Sequence, residues 1–343
     1  MAYGDDHTAR GTRTAAPLLA VDQLTVRLPV EGQQKLVLHG VSLDIHPGES
    51  LGLVGESGSG KSMTARAVDL LLPPGAAVEG SVKFDGHEVS SLGGNDLKSF
   101  RGQVAMIFQD PRAHVNPVRR IGDFMTEALC SNHGVAKSKA RARAVDALAQ
   151  VGIENGERRL QQYPHNLSGG LLQRVMIAAA LLTEPRLVLA DEPTTALDVT
   201  TQAEVMAILD DLRREFGLAV LFITHDLDLA AAVCDRTAVM YAGQIMEVRD
   251  SARLHDDPLH PYTAAIGAAR PDMTHSAHRL RAIAGQPLSA FDAPADECAF
   301  APRCPHAQEV CRSARPSLLD LDGGLSRCAR ALELRGTLGQ KVR

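Results

Sequence analysis

The chain of 343 residues contains no tryptophan, and only 3% of its residues are aromatic. Platforms that stack successive bases are built from aromatic rings, so single-strand nucleic-acid binding has little to build on. A basic excess is missing as well: 36 lysines and arginines face 41 aspartates and glutamates, for a net charge of −5. That balance argues against a sequence-independent nucleic-acid binder, and the dispersed arginines read as solvated faces. No apolar run approaches the ~20 residues of a membrane-spanning helix. The longest wholly apolar stretch is Val175 to Leu182, so any link to a membrane is expected to run through partner proteins. Met1 to Pro17 has no apolar core of a signal peptide and reads as a disordered tail on a cytoplasmic protein. Internal repeats are absent.

What is present is the composition of a globular protein with a substantial core, 45% hydrophobic and 22% charged. Leu24 to Leu28 and Val41 to Ile45 alternate apolar and polar residues, the pattern of a half-buried antiparallel sheet. Pro47-Gly48 makes a turn into the short apolar strand Ser50 to Val54, followed by a Gly-rich loop and a helix from about Ser62 to Leu72. Val82 to Phe84 and Val104 to Phe108 read as further strands. Leu187 to Ala190 and Ala219 to Thr224 are continuous apolar runs, as expected of parallel strands buried on both faces. Between these halves of an α/β sheet, about residues 110–186 read as a mostly helical insert. A composition shift near Leu254 places a boundary at about residue 255. That divides the chain into a tail (1–17), a main domain (18–255) and an appended C-terminal module (256–343).

Chemistry concentrates at three places. Gly55-Glu56-Ser57-Gly58-Ser59-Gly60-Lys61-Ser62 fits G-x-x-x-x-G-K-[ST] between a strand and a helix, the context this phosphate-binding loop requires. Its glycines let successive backbone N–H groups turn toward phosphate oxygens, and the helix N-terminus adds a favourable dipole. Lys61 supplies charge to the β- and γ-phosphates of ATP, and the Ser62 hydroxyl is a ligand for Mg²⁺. The second place is the edge of the sheet. The run Leu187 to Ala190 ends in Asp191-Glu192, at the strand edge where such sheets bind ligands. Asp191 is expected to hold Mg²⁺ and Glu192 to polarise the attacking water. The next strand ends at Thr224-His225, which puts His225 at the same edge as a γ-phosphate donor. The third place is a set of cysteines, Cys298, Cys304, Cys311 and Cys328, spaced C-x5-C-x6-C-x16-C. In a reducing compartment such a set points to metal before disulfides. Four thiolates suit an iron–sulfur cluster or zinc, though the tight knuckle of most zinc sites is missing.

Leu167-Ser168-Gly169-Gly170-Leu171-Leu172-Gln173-Arg174, with Ser168 23 residues ahead of Asp191, resembles the signature motif of ATP-binding-cassette (ABC) ATPases. Gln109 resembles the Q-loop glutamine of that family, Ala196-Leu197-Asp198 its D-loop and His225 its switch histidine. The resemblance covers roughly residues 20 to 250. It implies a P-loop ABC ATPase fold with a parallel-sheet core, an antiparallel β subdomain and a helical subdomain, plus the small Cys-containing C-terminal module. It also implies that two cassettes pack head to tail around two ATP molecules. Gly55, Gly60, Lys61 and Ser62 would then hold one nucleotide, Gln109 would contact Mg²⁺, and Ser168, Gly169 and Gly170 would cap the γ-phosphate of the partner's ATP. The family usually stacks adenine on an aromatic residue early in the chain; Leu28 stands at that place here.

Longer stretches resemble the ATPases of oligopeptide, dipeptide and nickel importers: Ile107 to Pro111, Asn116-Pro117, Tyr163 to Leu167, Ala190 to Asp198, His260 to Thr263 and Phe300 to Cys304. Leu171 after the signature glycines and Arg112 to Val115 depart from the usual pattern. What this implies is an energy-coupling ATPase, on the cytoplasmic face of the membrane, of a di- or oligopeptide importer. Its partners would be a second ATPase subunit, identical or paralogous, two transmembrane permease subunits and an extracytoplasmic substrate-binding protein, with no nucleic acid. Some C-terminal modules of this kind hold an iron–sulfur cluster, which puts [4Fe–4S] first for the four cysteines, ahead of bare or disulfide-bonded thiols and then zinc. The alternative function is a soluble, non-transport ABC ATPase of translation or DNA repair. Those proteins usually carry tandem cassettes or long inserts, and this chain has neither.

Overall fold

The strand β1 (Leu19–Val30) buries Leu24, Val26 and Leu28 on one face while Thr25 and Arg27 stay partly exposed, as its alternation predicts. The two-residue turn at Glu31 and Gly32, both with positive φ, folds it back onto β2 (Gln33–Ile45), with Leu19 opposite Ile45 and Val30 opposite Gln33. Its other edge pairs with β4 (Ala77–Phe84), which carries the two-residue β5 (His87–Glu88). This antiparallel sheet has the order β2-β1-β4-β5. The computed structural model describes residues 16–194, 198–269, 283–321 and 323–339. Most of the expected tail and the D-loop residues Ala196 and Leu197 lie outside the described residues.

The second sheet positions the chemistry. Strand β3 (Ser50–Val54) is buried throughout and lies between β8 (Ala219–Thr224) and β9 (Arg236–Tyr241), parallel to both. Beyond β8 follow β7 (Leu187–Asp191) and β6 (Val104–Ile107), also parallel. All five strands therefore present their C-terminal ends at one edge, and the loops after β3, β6, β7 and β8 meet there. Helix α1 (Lys61–Val68) follows β3, and α2 (Gly94–Gln103) precedes β6. The insert between β6 and β7 is helical as expected: α3 (Pro111–His114), α4 (Ile121–Ser131), α5 (Lys137–Gln150), α6 (Gly156–Leu160) and α7 (Gly169–Leu181). Ala140, Ala144 and Ala147 make the buried stripe of α5, packed in one cluster with Met125, Leu148, Leu172 and Ile107. Helices α8 (Val199–Phe216) and α9 (Leu227–Val233) flank β8. Among the described residues no helix is long and apolar enough to cross a membrane.

Beyond residue 255, where an appended module is expected, the chain pairs with the main sheet. Strand β10 (Gln244–Asp250) pairs antiparallel with β9, and its free edge takes up β12 (Gly324–Ser326), which in turn pairs with β11 (Leu319–Leu321). The C-terminal residues thus complete an eight-stranded sheet, β11-β12-β10-β9-β3-β8-β7-β6. Helix α10 (Pro261–Ala268) brings Tyr262 against Tyr241 and Phe300, with ring centroids 4.7 and 5.1 Å away. These rings share a buried cluster with Val54 of β3. A chain poor in aromatics spends three of them on one seam, between the β3 end and the C-terminal segment.

Candidate active site

The loop from Gly55 to Gly60 leaves β3 and enters α1 with no room for a side chain at either of its end glycines. A Cβ on Gly55 would lie 2.1 Å from the Met240 carbonyl oxygen of β9, and one on Gly60 would lie 2.9 Å from Leu38. Gly60 also has φ of 105°, a left-handed conformation that glycine adopts without strain. The loop is pinned by Gly243 N–H donating to the Ser59 carbonyl at 2.8 Å. Helix α1 begins with no side-chain cap and no acidic residue in its first turn. Its leading N–H groups and dipole are thereby left to an anion, which fits phosphate oxygens. Lys61 is 5% exposed, and its ammonium donates to the carbonyls of Gly55 at 2.8 Å and Glu56 at 3.1 Å. Burial lowers its pKa, opposed by the carboxylates of Glu192, Asp191 and Glu56.

From β7, the two acidic residues reach different partners of one site. Consecutive strand side chains point to opposite faces, but Glu192 has a left-handed backbone, φ 46°, that turns its side chain back to the strand edge. Asp191 accepts from the Ser62 hydroxyl at 2.8 Å. Burial raises the Asp191 pKa, the Ser62 hydrogen bond lowers it, and the adjacent Glu192 charge raises it further. Hydroxyl and carboxylate oxygens side by side are the hard donors that Mg²⁺ takes, so the residues present fit that ion. Glu192 accepts from the Gln109 side-chain amide at 2.9 Å, and the His225 Nδ1 lies 3.6 Å from the same carboxylate oxygen. His225 itself is largely exposed at the rim. Thus Lys61, Ser62, Gln109, Asp191, Glu192 and His225, predicted from separate stretches, converge at one edge.

The signature residues follow beside the segment after β6: Gly169 lines a cavity together with Gln109, Arg112, Gln173 and Pro193. Ser168 caps α7, accepting from the Leu171 N–H at 3.3 Å, and is exposed. Gly170 packs on α8: a Cβ there would lie 2.6 Å from the Thr201 methyl. Asp198 caps α8 by accepting from the Thr201 N–H and hydroxyl at 3.0 and 2.8 Å. Arg112, where the sequence departs from its relatives' pattern, donates to the Leu167 carbonyl at 3.3 Å and so links the segment after Gln109 to the signature loop. Leu28 is not an open platform for a base: it is 8% exposed and packs in the same cluster as Val37 and Leu38. Sequence reasoning missed Arg303 and Tyr262, which reach Glu56 in the phosphate loop. Arg303, next to Cys304, thereby ties the cysteine segment to the loop. Cys298, Cys304, Cys311 and Cys328 are free thiols lining one small cavity with Phe300 and His260. Burial pushes the thiols of Cys298 and Cys328 up to about 11, with the neighbouring cysteines adding to the rise.

Comparison with known proteins matches residues 38–195 to the ABC transporter family model and residues 246–311 to the oligopeptide/dipeptide transporter C-terminal region. The chain is 40% identical over 328 residues to the oligopeptide transport ATP-binding protein OppD of Salmonella typhimurium, covering 94% of this chain and 98% of that protein. It is 41% identical over 319 residues to the dipeptide transport ATP-binding protein DppD of Escherichia coli, covering 92% and 97%. Among solved structures, the ATP-binding cassette MJ0796, a dimer in a post-hydrolysis state bound to ADP and Pi, superposes with a TM-score of 0.61 at 28% identity. That match covers 68% of this chain and 98% of the other.

Proposed function

The chain belongs to the ABC transporter family, with the ATP-binding subunits of oligopeptide and dipeptide transporters, and from that premise we propose that it hydrolyses ATP to drive import of di- or oligopeptides. The observation that carries this reading is the convergence of Lys61, Ser62, Gln109, Asp191, Glu192 and His225 at one sheet edge, reached from four different loops. Lys61 and the leading amides of α1 bind the β- and γ-phosphates, with Gly55 to Gly60 wrapping them. Ser62, Asp191 and Gln109 hold Mg²⁺, which when bound neutralises charge on the phosphates. Glu192 orients the attacking water and accepts from it; Gln109 fixes the carboxylate, and His225 at the rim donates to the γ-phosphate. Ser168, Gly169 and Gly170, with Asp198 beside them, serve the ATP of a second cassette, identical or paralogous. Ser168 and Asp198 are exposed, within reach of a second chain, which supports a head-to-tail pair. Two transmembrane permeases and an extracytoplasmic binding protein complete the importer, and the chain sits on the cytoplasmic face of the membrane. Co-purification of the tagged chain with two polytopic membrane proteins, and ATPase activity stimulated by peptide-loaded binding protein, is the expected result. Isolation as a soluble complex with no membrane subunit would favour the non-transport alternative.

The four cysteines hold a [4Fe–4S] cluster in this reading. Among the described residues, the only three or more ligand-type side chains with donor atoms within 4.8 Å of one another are Asp44, His46 and Glu49. The four cysteines instead line one small cavity, and four thiolates around one space suit such a cluster. A cluster there supplies one-electron chemistry or simply a cross-link for the segment. Anaerobic purification should give a brown protein with about four irons per chain. A colourless protein, iron-free after reconstitution, excludes the cluster, and stoichiometric zinc in the same sample supports the other metal.

A further inference from the structure

A phosphate-binding loop has no need of an acid at its second position, and a carboxylate there opposes the anion it must receive. Glu56 is such a group, close enough that its charge acts on the Lys61 ammonium. The structure gives that carboxylate a partner from 247 residues away. Arg303 donates from Nη1 to Glu56 Oε2 at 2.7 Å and from Nη2 to Oε1 at 3.2 Å, the two-pronged geometry that makes Arg–carboxylate pairs strong and directional. The guanidinium is itself locked. Its side chain is 5% exposed, Nε donates to the Ala284 carbonyl at 2.9 Å, Nη1 donates to the Tyr241 hydroxyl at 3.3 Å, and Phe300 lies under it. Two more ties join the same segments. The Glu56 N–H donates to the Tyr262 hydroxyl at 3.1 Å, and the Ala290 N–H donates to the Gly58 carbonyl at 3.3 Å.

We infer that Arg303 is a positioning residue for nucleotide binding, holding the Glu56 carboxylate toward the C-terminal segment and off the phosphates while fixing the first turn of the loop. This rests on the reading of Gly55 to Ser62 as the phosphate cradle. Without Arg303 the carboxylate keeps a 3.4 Å contact from the Tyr262 hydroxyl, too long to hold it, and can turn toward Lys61, where it competes with the phosphates for the ammonium. The defect is electrostatic, and removing the carboxylate should cure it.

The test is MgADP binding by calorimetry to the full-length protein, since ADP reports on the cradle without cassette pairing. Arg303→Met, which keeps an apolar stem over Phe300, is expected to weaken ADP about tenfold, within the range of couplings between linked groups. On a Glu56→Gln background the same change is expected to cost less than about twofold, the non-additivity of two residues acting as a pair. An unchanged ADP affinity in Arg303→Met overturns the inference. So does an equal loss in both backgrounds, which would mean Arg303 acts by packing alone. Should Arg303→Met fail to fold, Arg303→Gln, which removes the charge and keeps a polar stem, gives the same comparison in the same two backgrounds: a loss that vanishes with Glu56→Gln supports the pair, and an equal or absent loss overturns it. Failure of the wild-type protein to bind MgADP would instead strike the cradle reading itself.

Discussion

Glu192 carries a side chain in the left-handed region, φ 46°, a conformation that costs of order 1–3 kcal/mol and persists only where its surroundings enforce it. Here the Glu192 N–H donates to the Ile223 carbonyl of β8, and the carboxylate is fixed by Gln109 and approached by His225. Under the proposed function, this strain serves to put a carboxylate, not a backbone, where a water attacks the γ-phosphate. Glu192→Gln keeps the shape and loses the proton acceptor. Turnover is expected to fall by about 10²–10⁴ while ATP binding survives and ATP-bound dimers accumulate on a sizing column. Unchanged hydrolysis by the purified variant would remove Glu192 from the catalytic role. Gly170 depends on the absence of a side chain for a different reason: a methyl there meets the Thr201 methyl, whose neighbouring hydroxyl is tied to Asp198. Gly170→Ala should therefore destabilise by about 1–3 kcal/mol through overpacking, despite alanine's better helix propensity. Adding Thr201→Ser, which removes the methyl and keeps the hydroxyl, should recover most of it in a urea titration. No recovery would place the strain elsewhere.

At the scale of elements, α1 ends at Val68, four residues before the end predicted from its pattern, because Asp69 caps it and Leu70 turns left-handed at φ 56°. Asp69 therefore sits at the negative end of the helix dipole. Burial pushes its carboxyl up to about 7, the Arg101 charge opposing. The folded pKa lies above the unfolded one, so the unfolded state ionises first. Stability is lost as pH rises from about 4 toward about 7 and stays lost above that. Asp69→Asn should be near neutral at pH 4 and stabilise by roughly 1–3 kcal/mol at pH 8; an equal gain at both pH values would show that the charge is not the cause. The elements the sequence made legible are those whose own residues determine them. Strands β3, β7 and β8 are apolar runs buried on both faces, and the glycines of the loop announce a backbone held against Met240. Strands β11 and β12, three residues each, were not legible. Leu319-Asp320-Leu321 and Gly324-Leu325-Ser326 have too little pattern of their own, and they become strands because β10 offers an edge. The tie between Arg303 and Glu56 was hidden for the same reason: neither residue's neighbours in sequence hint at the other.

For the molecule as a whole, the shared seam decides whether the cassette can stand without the residues after 255. Val54 and Tyr241 of the eight-stranded sheet, with Leu227 of α9, pack against Tyr262, Ala299 and Phe300, and all six are buried. Glu247 of β10 accepts from the N–H groups of Leu259 and His260 at 2.9 Å each, and the Ser326 hydroxyl donates to the Leu259 carbonyl. Ending the chain at residue 255 would strip partners from this carboxylate and bare the edge of β10. It would also remove two fully buried aromatic side chains, each worth about 1.5–3 kcal/mol of burial. Losses of that size approach the whole stability of a typical domain, about 5–15 kcal/mol. The truncated chain is therefore expected to aggregate or to melt at least about 10 °C lower than the full chain, and to bind MgADP more weakly as Glu56 loses both Arg303 and Tyr262. A truncated chain that melts with the full-length protein and binds ADP as tightly would show that the seam is a contact between independent units. It would return the segment after 255 to the status of an appendage.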